Sequence, residues 1–444
     1  MESLKEVKGF DKEAFKKIHD TGEQVTSIRI NPFKISRPIP GQYSPIPWTN
    51  YGFYLASRPS FTFDPLFHAG TYYVQEASSM FLEQALKQTV DLSKPLCILD
   101  LCAAPGGKST HIQSLISKDS LLVSNEVIRS RANVLKDNII KWGAENVVVT
   151  NNDPKDLTKL ENYFDVIVID APCSGSGLFR RDPEAIEEWS ENNVQLCSQR
   201  QQRIIADIWP ALKENGILIY STCSYSKEED EELMDWISKE FETENKELEI
   251  GKEWGIVETI SAAGNHGYRF WPDKVKGEGF FLACFQKMDG ESETESRYRK
   301  KPEPVTKKEM EFVERFVKKD DKEFIRHENT VYAWPMELVK DLSFLLEQLR
   351  VIYSGVLCGE LMRDKMVPDH ALAMSRITAA DIPYTELNLE DAIRYLQRKD
   401  LSIETKNKGW QLFTFQHHPL GWANVLPNRI NNYYPKELRI LKES

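Results

Sequence analysis

The sequence predicts an α/β fold built around a doubly wound, mostly parallel sheet. Six short apolar runs alternate with helical patterns between about residues 95 and 287, as expected for strands that are buried on both faces. A glycine-rich loop follows the first run, and a cysteine follows each of the fourth and fifth runs. Because ligands bind at the carboxyl ends of the strands in such a sheet, we expect these three loops to share one site.

The patterns along the 444 residues predict several domains, since one hydrophobic core does not grow to this size. Residues 1–90 mix helical and strand patterns, which indicates an α+β N-terminal region. The doubly wound domain follows over residues 91–288, and the polar composition of residues 289–304 indicates a linker. Residues 305–365 predict a small α+β domain, and residues 366–444 predict a strand-rich α+β module.

The composition is that of an ordinary globular protein, with 41% hydrophobic and 28% charged residues. No apolar stretch approaches the roughly 20 residues that span a bilayer, and the N-terminus has no apolar signal core. We therefore expect a cytoplasmic protein without a membrane partner. The net charge of −11 argues against non-specific binding of nucleic acid, but 57 Lys and Arg residues still allow a local basic surface.

Seven cysteines are scattered along the chain, and none forms a Cys-x-x-Cys pair. This pattern argues against a disulfide framework and against a zinc site, and it favours reduced thiols. His266 and the adjacent His417 and His418 lack partners at the spacing of metal ligands, so we expect no metal site. Four of the cysteines are interpreted as structural: Cys97, Cys197, Cys284 and Cys358.

The first apolar run leads directly into a loop of small residues that ends at a helix. This loop consists of Cys102, Ala103, Ala104, Pro105, Gly106, Gly107 and Lys108. A strand, a loop and a helix in this order bring backbone N–H groups to a ligand, and glycine allows the close approach. An adenosyl cofactor also needs an acid at the end of the next strand. Glu126 is at that position, and Asp153 follows the third run, where it would bind the adenine amino group.

A nucleoside triphosphate is the second candidate ligand for this loop. The loop ends in Gly107-Lys108-Ser109, as the phosphate-loop motif does. The later apolar run that ends in Asp170 resembles a magnesium-binding strand. Cys102 stands where the phosphate-loop motif has its first glycine, however, and an ATPase has no use for the two cysteines. We therefore favour the adenosyl cofactor.

Two polar loops that contain a cysteine follow neighbouring apolar runs. Their sequences are Asp170-Ala171-Pro172-Cys173 and Ser221-Thr222-Cys223. Methylation of carbon 5 of cytosine is a reaction that needs a cysteine beside such a cofactor. This carbon is a poor nucleophile, and a thiolate that adds to carbon 6 of the ring makes it reactive towards a methyl donor. Asp170 is placed to hydrogen-bond the N3 side of the ring, and another group must help to remove the carbon-5 proton. The spacing alone does not decide which cysteine attacks.

These motifs resemble the signature motifs of the NOL1/NOP2/Sun family of RNA 5-methylcytosine methyltransferases. The matching segments are residues 27–34, 70–80, 99–108, 170–175, 180–183, 221–224 and 279–287. The resemblance implies a Rossmann-like domain that binds S-adenosylmethionine, preceded by an RNA-binding N-terminal region. It assigns the nucleophilic attack to Cys223, the release of the product to Cys173, and the orientation and protonation of the base to Asp170.

The same resemblance implies which residues contact S-adenosylmethionine. These are residues 102–108, Glu126, Asp153 and Asp170. Arg131, one helical turn past Glu126, is either a further contact or a surface salt bridge. A non-catalytic RNA-binding factor with this fold is the remaining alternative. The presence of Asp170 and of both cysteines gives no sign that the chemistry has been lost.

The C-terminal part is similar to the tail of bacterial RsmF-type enzymes, which act on small-subunit ribosomal RNA. Three segments carry this similarity: residues 368–373, 419–422 and 431–439. It implies a PUA-like RNA-binding module and methylation of 16S rRNA in the small ribosomal subunit, in the decoding region. We expect the protein to be a monomer. Four residues near the C-terminus suit stacking and phosphate contacts with RNA: Tyr433, Tyr434, Lys436 and Arg439.

Overall fold

The structure of the chain, a computed structural model, describes residues 2–35, 43–182, 184–290 and 302–443. These ranges contain four β-sheets with flanking helices. The predicted linker at residues 289–304 lies mostly outside the described residues. Within the described ranges, no helix combines the length and the apolar character that a membrane span needs.

The first sheet and its helices come from the N-terminal part of the chain. Their bounds are α1 Lys12–Asp20, β1 Ser27–Ile30, β2 Tyr43–Pro45, β3 Gly52–Leu55, α2 Pro65–His68, β4 Tyr72–Val74 and α3 Leu82–Thr89. The sheet is antiparallel and has the order β2–β3–β1–β4. Asp11 starts α1 because its side chain accepts hydrogen bonds from the backbone N–H groups of Glu13 and Ala14.

Arg29 on β1 connects this sheet to the glycine loop. Its buried guanidinium donates to Thr110 Oγ1 at 2.6 Å and to the Gly107 carbonyl at 3.2 Å. Its Nε donates to Gln75 Oε1 at 2.8 Å, and the group lies 4.5 Å from the centroid of the Trp142 ring. Burial lowers the pKa of Arg29 to about 9, which leaves it charged at neutral pH. The N-terminal sheet therefore fixes the start of the helix that follows the glycine loop.

The second sheet is the centre of the molecule and contains ten strands within the described residues. Its elements before residue 290 are β5 Cys97–Asp100, α4 Gly107–Gln113, β6 Leu121–Asn125, α5 Arg129–Trp142, β7 Val147–Thr150, β8 Phe164–Asp170, α6 Glu184–Glu188, α7 Glu191–Ile208, β9 Leu212–Thr222, α8 Glu231–Glu240, β10 Thr243–Asn245, β11 Val257–Ile260, β12 His266–Phe270 and β13 Phe280–Lys287. Strands β9, β8, β5, β6 and β7 are parallel neighbours in that order.

This strand order confirms the prediction of a doubly wound α/β domain. The chain builds the sheet outwards from β5 in one direction through β6 and β7, and then in the other direction through β8 and β9. The switch point lies beside the end of β5, where such sheets bind ligands. Strands β6 and β7 are buried along their whole length, which explains why their sequences are nearly continuous apolar runs.

The C-terminal part forms two smaller sheets. Its elements are β14 Glu303–Pro304, α9 Lys307–Val313, β15 Lys322–His327, β16 Thr330–Pro335, α10 Val339–Gln348, β17 Val351–Ser354, β18 Val356–Met362, β19 Lys365–Pro368, α11 His370–Met374, β20 Tyr384–Glu386, α12 Leu389–Leu396, β21 Gly409–Phe415, β22 His418–Leu426 and β23 Arg429–Asn432. The third sheet has the order β14–β15–β16–β18–β19, and the fourth has the order β20–β21–β22–β23.

One strand of this part belongs to the central sheet. β17 pairs with β7 in the antiparallel direction, so the predicted small domain at residues 305–365 shares a sheet with the preceding domain. β14, at the end of the predicted linker, pairs with β15 and is therefore part of the third sheet. The domain boundaries from the sequence stay predictions.

Tyr434 does not lie at the surface where the sequence predicts RNA contacts. It is only 2% exposed, and its ring packs against those of Tyr395 and His370, with centroids 5.7 and 5.4 Å apart. The prediction that Tyr434 stacks on RNA is therefore wrong, because its ring fills the core beside the fourth sheet. Tyr433 is 37% exposed, and its ring centroid lies 4.4 Å from that of Trp410.

Candidate active site

The glycine loop begins at the end of β5 and enters α4 at Gly106. Gly106 has a φ of 113°, a left-handed conformation that favours glycine. A Cβ atom on Gly106 would also lie 3.2 Å from Leu135 Cδ1. Ala103 and Ala104 are buried, and Pro105 is exposed. The loop therefore exposes little side chain and leaves its backbone free to approach a ligand closely.

Two buried residues lie where this loop leaves the sheet. Asp100, the last residue of β5, accepts a 2.6 Å hydrogen bond from Ser109 Oγ on α4. Burial raises the pKa of Asp100 to about 7. Burial also raises the pKa of the Cys102 thiol, so this cysteine keeps its proton at neutral pH and is unsuited to nucleophilic attack.

Glu126 directly follows β6, and Arg131 lies in the first turn of α5. The buried Glu126 carboxylate accepts the Ile128 N–H at 3.0 Å through Oε1. Arg131 Nη2 donates to the Ala104 carbonyl at 2.8 Å, and its Nη1 lies 3.8 Å from Glu126 Oε2. The Arg131 side chain is 53% exposed. Arg131 therefore forms the salt bridge that the sequence suggests and also touches the glycine loop.

Asp153 follows β7 and is exposed. One of its carboxylate oxygens accepts the Lys155 N–H at 3.1 Å and caps a short 3-10 helix. The two residues before Asp153 are fixed by the C-terminal part of the chain. The Asn151 N–H donates to the Arg350 carbonyl at 3.0 Å, and the Arg350 N–H donates to Asn152 Oδ1 at 3.0 Å. The position of Asp153 thus depends on a segment far away in the sequence.

Lys108 and Asp170 form an ion pair between the glycine loop and the end of β8. Lys108 Nζ lies 2.8 Å from Asp170 Oδ2, and Ser221 Oγ donates to Asp170 Oδ1 at 3.2 Å. In a phosphate loop, this lysine and the next hydroxyl would bind phosphate and magnesium. Here the lysine binds a carboxylate, and the Ser109 hydroxyl donates to Asp100. The structure therefore does not favour a nucleoside triphosphate.

The two cysteines of the sequence motifs meet beyond the carboxyl ends of β8 and β9. Asp170 on β8 pairs with Ser221 on β9, so the two cysteine loops leave the sheet at adjacent points. The Sγ atoms of Cys173 and Cys223 are 2.9 Å apart. The hydrogen bond between these thiols, together with burial, raises the pKa of Cys173 well above its usual range. Cys173 therefore keeps a proton next to the sulfur of Cys223 at neutral pH.

The sequence motifs did not reveal a buried polar network beside Cys223. Thr222 Oγ1 donates to Asp230 Oδ1 at 2.7 Å, and the buried Arg269 places Nη2 3.0 Å from Asp230 Oδ2. The neighbouring Glu229 is also fully buried. The sequence signal for this network is the run of acidic residues after the second cysteine motif, although such a run more often marks a solvated helix face.

His266 has acidic neighbours that its spacing in the sequence did not indicate. Its Nδ1 lies 2.6 Å from Glu258 Oε1 across the β11–β12 hairpin. One ligand atom from each of Glu247, Glu258 and His266 lies within 4.8 Å of the others. These side chains are half-buried or exposed, at the edge of the central sheet. The absence of a bound metal stays a prediction.

Comparison with known proteins relates four segments of the chain, from the N-terminal region to the C-terminal module, to one group of enzymes. Residues 87–286 match the family described as 16S rRNA methyltransferase RsmB/F. Residues 1–77 match the N-terminal domain of 16S rRNA methyltransferase RsmF. Residues 311–375 match the first C-terminal domain of the RsmF rRNA methyltransferase, and residues 383–440 match the methyltransferase RsmF PUA domain.

Individual relatives align with nearly the whole chain. Ribosomal RNA small subunit methyltransferase F of Aliivibrio fischeri is 31% identical over 93% of this chain and 90% of its own length. The protein of the same name from Cronobacter sakazakii is 29% identical over 93% of this chain and 89% of its own. A solved structure, the methyltransferase homolog protein from Pyrococcus horikoshii, is 28% identical with a TM-score of 0.52. It covers 62% of this chain and 90% of that chain.

Proposed function

Since the chain belongs to the RsmF family of ribosomal RNA small subunit methyltransferases, we propose that it methylates carbon 5 of a cytosine in 16S rRNA. The contact between the Cys173 and Cys223 thiols carries this proposal. Methylation at carbon 5 needs a nucleophile that first adds to the ring, and cysteine is the side chain best suited to that role. Methylation of an RNA amino group or hydroxyl needs no such partner.

The proposed methyl donor is S-adenosylmethionine, which would leave as S-adenosylhomocysteine. The observed site fits this cofactor, because the left-handed Gly106 lets the backbone of residues 102–108 approach it. The buried Glu126 suits the ribose hydroxyls, and Asp153 suits the adenine amino group. Arg131 and Asp170 complete the proposed contacts. When bound, the cofactor supplies an electrophilic methyl group on a positively charged sulfur.

Cys223 is the proposed nucleophile. Its thiolate adds to carbon 6 of the cytosine, and carbon 5 then becomes electron-rich enough to accept a methyl group. Asp170 is proposed to orient the base from the N3 side of the ring and to assist protonation there. Lys108 and Ser221, at 2.8 and 3.2 Å, hold the Asp170 carboxyl group in place.

Cys173 is proposed to act in the release of the product. After methylation, the carbon-5 proton must leave so that the ring regains its double bond and the bond between Cys223 and carbon 6 breaks. In the proposed step the Cys173 thiol, 2.9 Å from the departing sulfur, passes its proton to the Cys223 thiolate and, as a thiolate, takes up the carbon-5 proton. The two cysteines would thus divide the attack and the release between them.

The proposed RNA partner is 16S rRNA within the small ribosomal subunit, with the target cytosine in the decoding region. The relatives that align with the whole chain are named as methyltransferases of small subunit ribosomal RNA. The cytosine must be unpaired or flipped out of its helix, because a stacked base does not expose carbon 6 to a thiol. We propose that the protein acts as a monomer in the cytoplasm, where its thiols stay reduced.

Incubation with labelled S-adenosylmethionine and isolated small subunits tests the proposal. We expect 5-methylcytosine in 16S rRNA with the unaltered protein and no methylation with Cys223→Ala. Cys173→Ala should accumulate a covalent protein–RNA adduct on a denaturing gel. Methylation by Cys223→Ala would exclude this nucleophile. RNA binding by the unaltered protein without any methylation would instead favour a non-catalytic RNA-binding factor.

A further inference from the structure

The residue that follows each cysteine of the site binds the same buried carboxylate. Ser174 Oγ donates to Glu229 Oε2 at 2.5 Å, and Ser224 Oγ donates to the same oxygen at 2.6 Å. The other oxygen, Oε1, accepts the Ser174 N–H at 2.8 Å and Gln201 Nε2 at 3.1 Å. Glu229 therefore connects two loops that leave different strands of the sheet.

Glu229 is itself held in place. It is 0% exposed and ends the 3-10 helix Lys227–Glu229. Its backbone carbonyl accepts a 2.8 Å hydrogen bond from the buried Tyr220 hydroxyl. Gln201 on α7 also donates to the Pro172 carbonyl at 3.2 Å, so one amide touches both Glu229 and the Cys173 loop. Because four donors occupy its two oxygens, the carboxylate serves these loops and does not reach the substrate.

The loop of Cys223 has anchors that do not involve Glu229. The Gly177 N–H, four residues after Cys173, donates to the Cys223 carbonyl at 2.8 Å and links the two cysteine loops directly. Thr222, the residue before Cys223, donates to Asp230 Oδ1 at 2.7 Å. These contacts lie on either side of the proposed nucleophile, so the position of Cys223 does not depend on Glu229 alone.

The loop of Cys173 depends more strongly on Glu229. The backbone N–H and the hydroxyl of Ser174 both donate hydrogen bonds to this carboxylate, whereas Ser224 donates only through its hydroxyl. Hydrogen bonds to a charged acceptor are stronger than those between neutral groups. Loss of Glu229 should therefore displace Cys173 more than Cys223.

We infer that Glu229 is a positioning residue that fixes the sulfur of Cys173 against that of Cys223 for the release step. The inference rests on the proposed function, in which Cys223 attacks and Cys173 assists release. A displacement of a reacting group by about 1 Å is enough to lower a rate by about 10²-fold. Without Glu229, attack continues while release slows, so the covalent protein–RNA intermediate accumulates.

The test compares variants of the full-length protein with S-adenosylmethionine and isolated small subunits. Glu229→Ala should lower turnover by about 10²-fold and accumulate the covalent adduct, as Cys173→Ala does. Glu229→Gln should restore most of the turnover. Its carbonyl oxygen can accept from Ser174 N–H and Gln201, while its amide nitrogen donates to the two serine hydroxyls.

Glu83→Ala is the matched control for the loss of a buried carboxylate. Glu83 is also 0% exposed, and its oxygens accept hydrogen bonds from Thr49 Oγ1 at 2.7 Å and the Asn50 N–H at 3.0 Å. This variant should lose stability without accumulating adduct. If Glu229→Ala does not fold, Ser174→Ala removes one of the hydrogen bonds to Glu229 and should give a smaller accumulation of adduct.

The possible results distinguish an error in the role of Glu229 from an error in the proposed function. An adduct with Cys173→Ala but none with Glu229→Ala or Ser174→Ala overturns the role of Glu229 and leaves the proposed mechanism intact. An adduct that also appears with Glu83→Ala overturns it as well, since lower stability would then be the cause. The absence of any adduct with Cys173→Ala contradicts the proposed division between the two cysteines instead.

Discussion

Arg269 lies buried between two acidic residues that follow the Cys223 loop. Its Nη2 is 3.0 Å from Asp230 Oδ2, Glu231 binds the same guanidinium, and Nη1 donates to the Tyr225 carbonyl at 3.2 Å. Removal of one partner from a buried ion pair leaves an uncompensated charge, which costs about 3–5 kcal/mol. We expect Arg269→Met to lower the free energy of unfolding by this amount at pH 8.

The loss should be smaller in acid, because Asp230 can take up a proton. Burial disfavours the charged form of Asp230, whereas the charge of Arg269, 3.0 Å away, lowers the pKa of Asp230 and favours the ion pair. In Arg269→Met the lowering is lost, so the pKa of Asp230 in the folded state rises, while in the unfolded state it stays at about 4. A carboxyl group with a raised folded-state pKa binds more protons in the folded state. Stability is thus kept at low pH and lost as the pH rises through the interval between the two pKa values.

Urea unfolding at pH 5 and at pH 8, followed by tryptophan fluorescence, measures this difference. Trp271 is a suitable probe because its ring centroid lies 5.8 Å from the Arg269 guanidinium carbon. The loss should shrink by at least about 1 kcal/mol between pH 8 and pH 5. The double variant with Asp230→Asn lacks the titrating group and should depend less on pH. An equal loss at both pH values, or one below about 1 kcal/mol, would show that no buried charge is left unpaired at Asp230.

Three further predictions concern the glycine loop. Gly106→Ala should weaken S-adenosylmethionine binding about fivefold in calorimetry, because the left-handed backbone costs roughly 1 kcal/mol for alanine; unchanged binding contradicts this. Lys108→Met removes the ammonium that lies 2.8 Å from Asp170 and should lower the methylation rate by about 10²-fold, while Lys155→Met, as a control, should not. Asp100 has its pKa raised to about 7, so its ionisation destabilises the fold as the pH rises from about 4 towards 7. Relative to the unaltered protein, Asp100→Asn should gain about 2 kcal/mol between pH 5 and pH 8 in thermal unfolding, and a constant difference would exclude this account.

The central sheet could be predicted because its signals are local. A strand buried on both faces is a short apolar run wherever it lies, as Val147–Thr150 illustrates. The glycine loop is equally local, since the left-handed conformation of Gly106 and the helix that follows depend on adjacent residues. The meeting of Cys173 and Cys223 followed from one rule, that the carboxyl ends of parallel strands share an edge.

The residues that support the site could not be predicted, because their partners are distant in sequence. The acidic residues after Cys223 have the composition of a solvated helix start, yet Glu229 and Asp230 are fully buried. They are buried because Ser174 and Arg269, far away along the chain on either side, supply hydrogen bonds and charge. The run of acidic residues after Cys223 does not by itself indicate which distant residues will pair with it.

Near the C-terminus, the sequence also could not predict which aromatic residues are exposed. Tyr433 and Tyr434 are adjacent residues of the same type, yet Tyr433 is 37% exposed and Tyr434 is 2% exposed. Only the packing of Tyr434 against Tyr395 and His370 distinguishes them. An aromatic, basic segment is therefore a weak predictor of which ring faces a nucleic acid.

The pairing of β17 with β7 makes the methyltransferase domain dependent on its neighbour. Without β17, the backbone N–H and C=O groups of Val147–Thr150 would form an open apolar edge, which invites association with other chains. The same segment carries Arg350, which anchors Asn151 and Asn152 just before the proposed adenine contact. One wall of the proposed cofactor site is thus supported from outside the domain that performs the chemistry. A catalytic domain excised at residue 288 would lose its outermost strand together with the anchor of that wall.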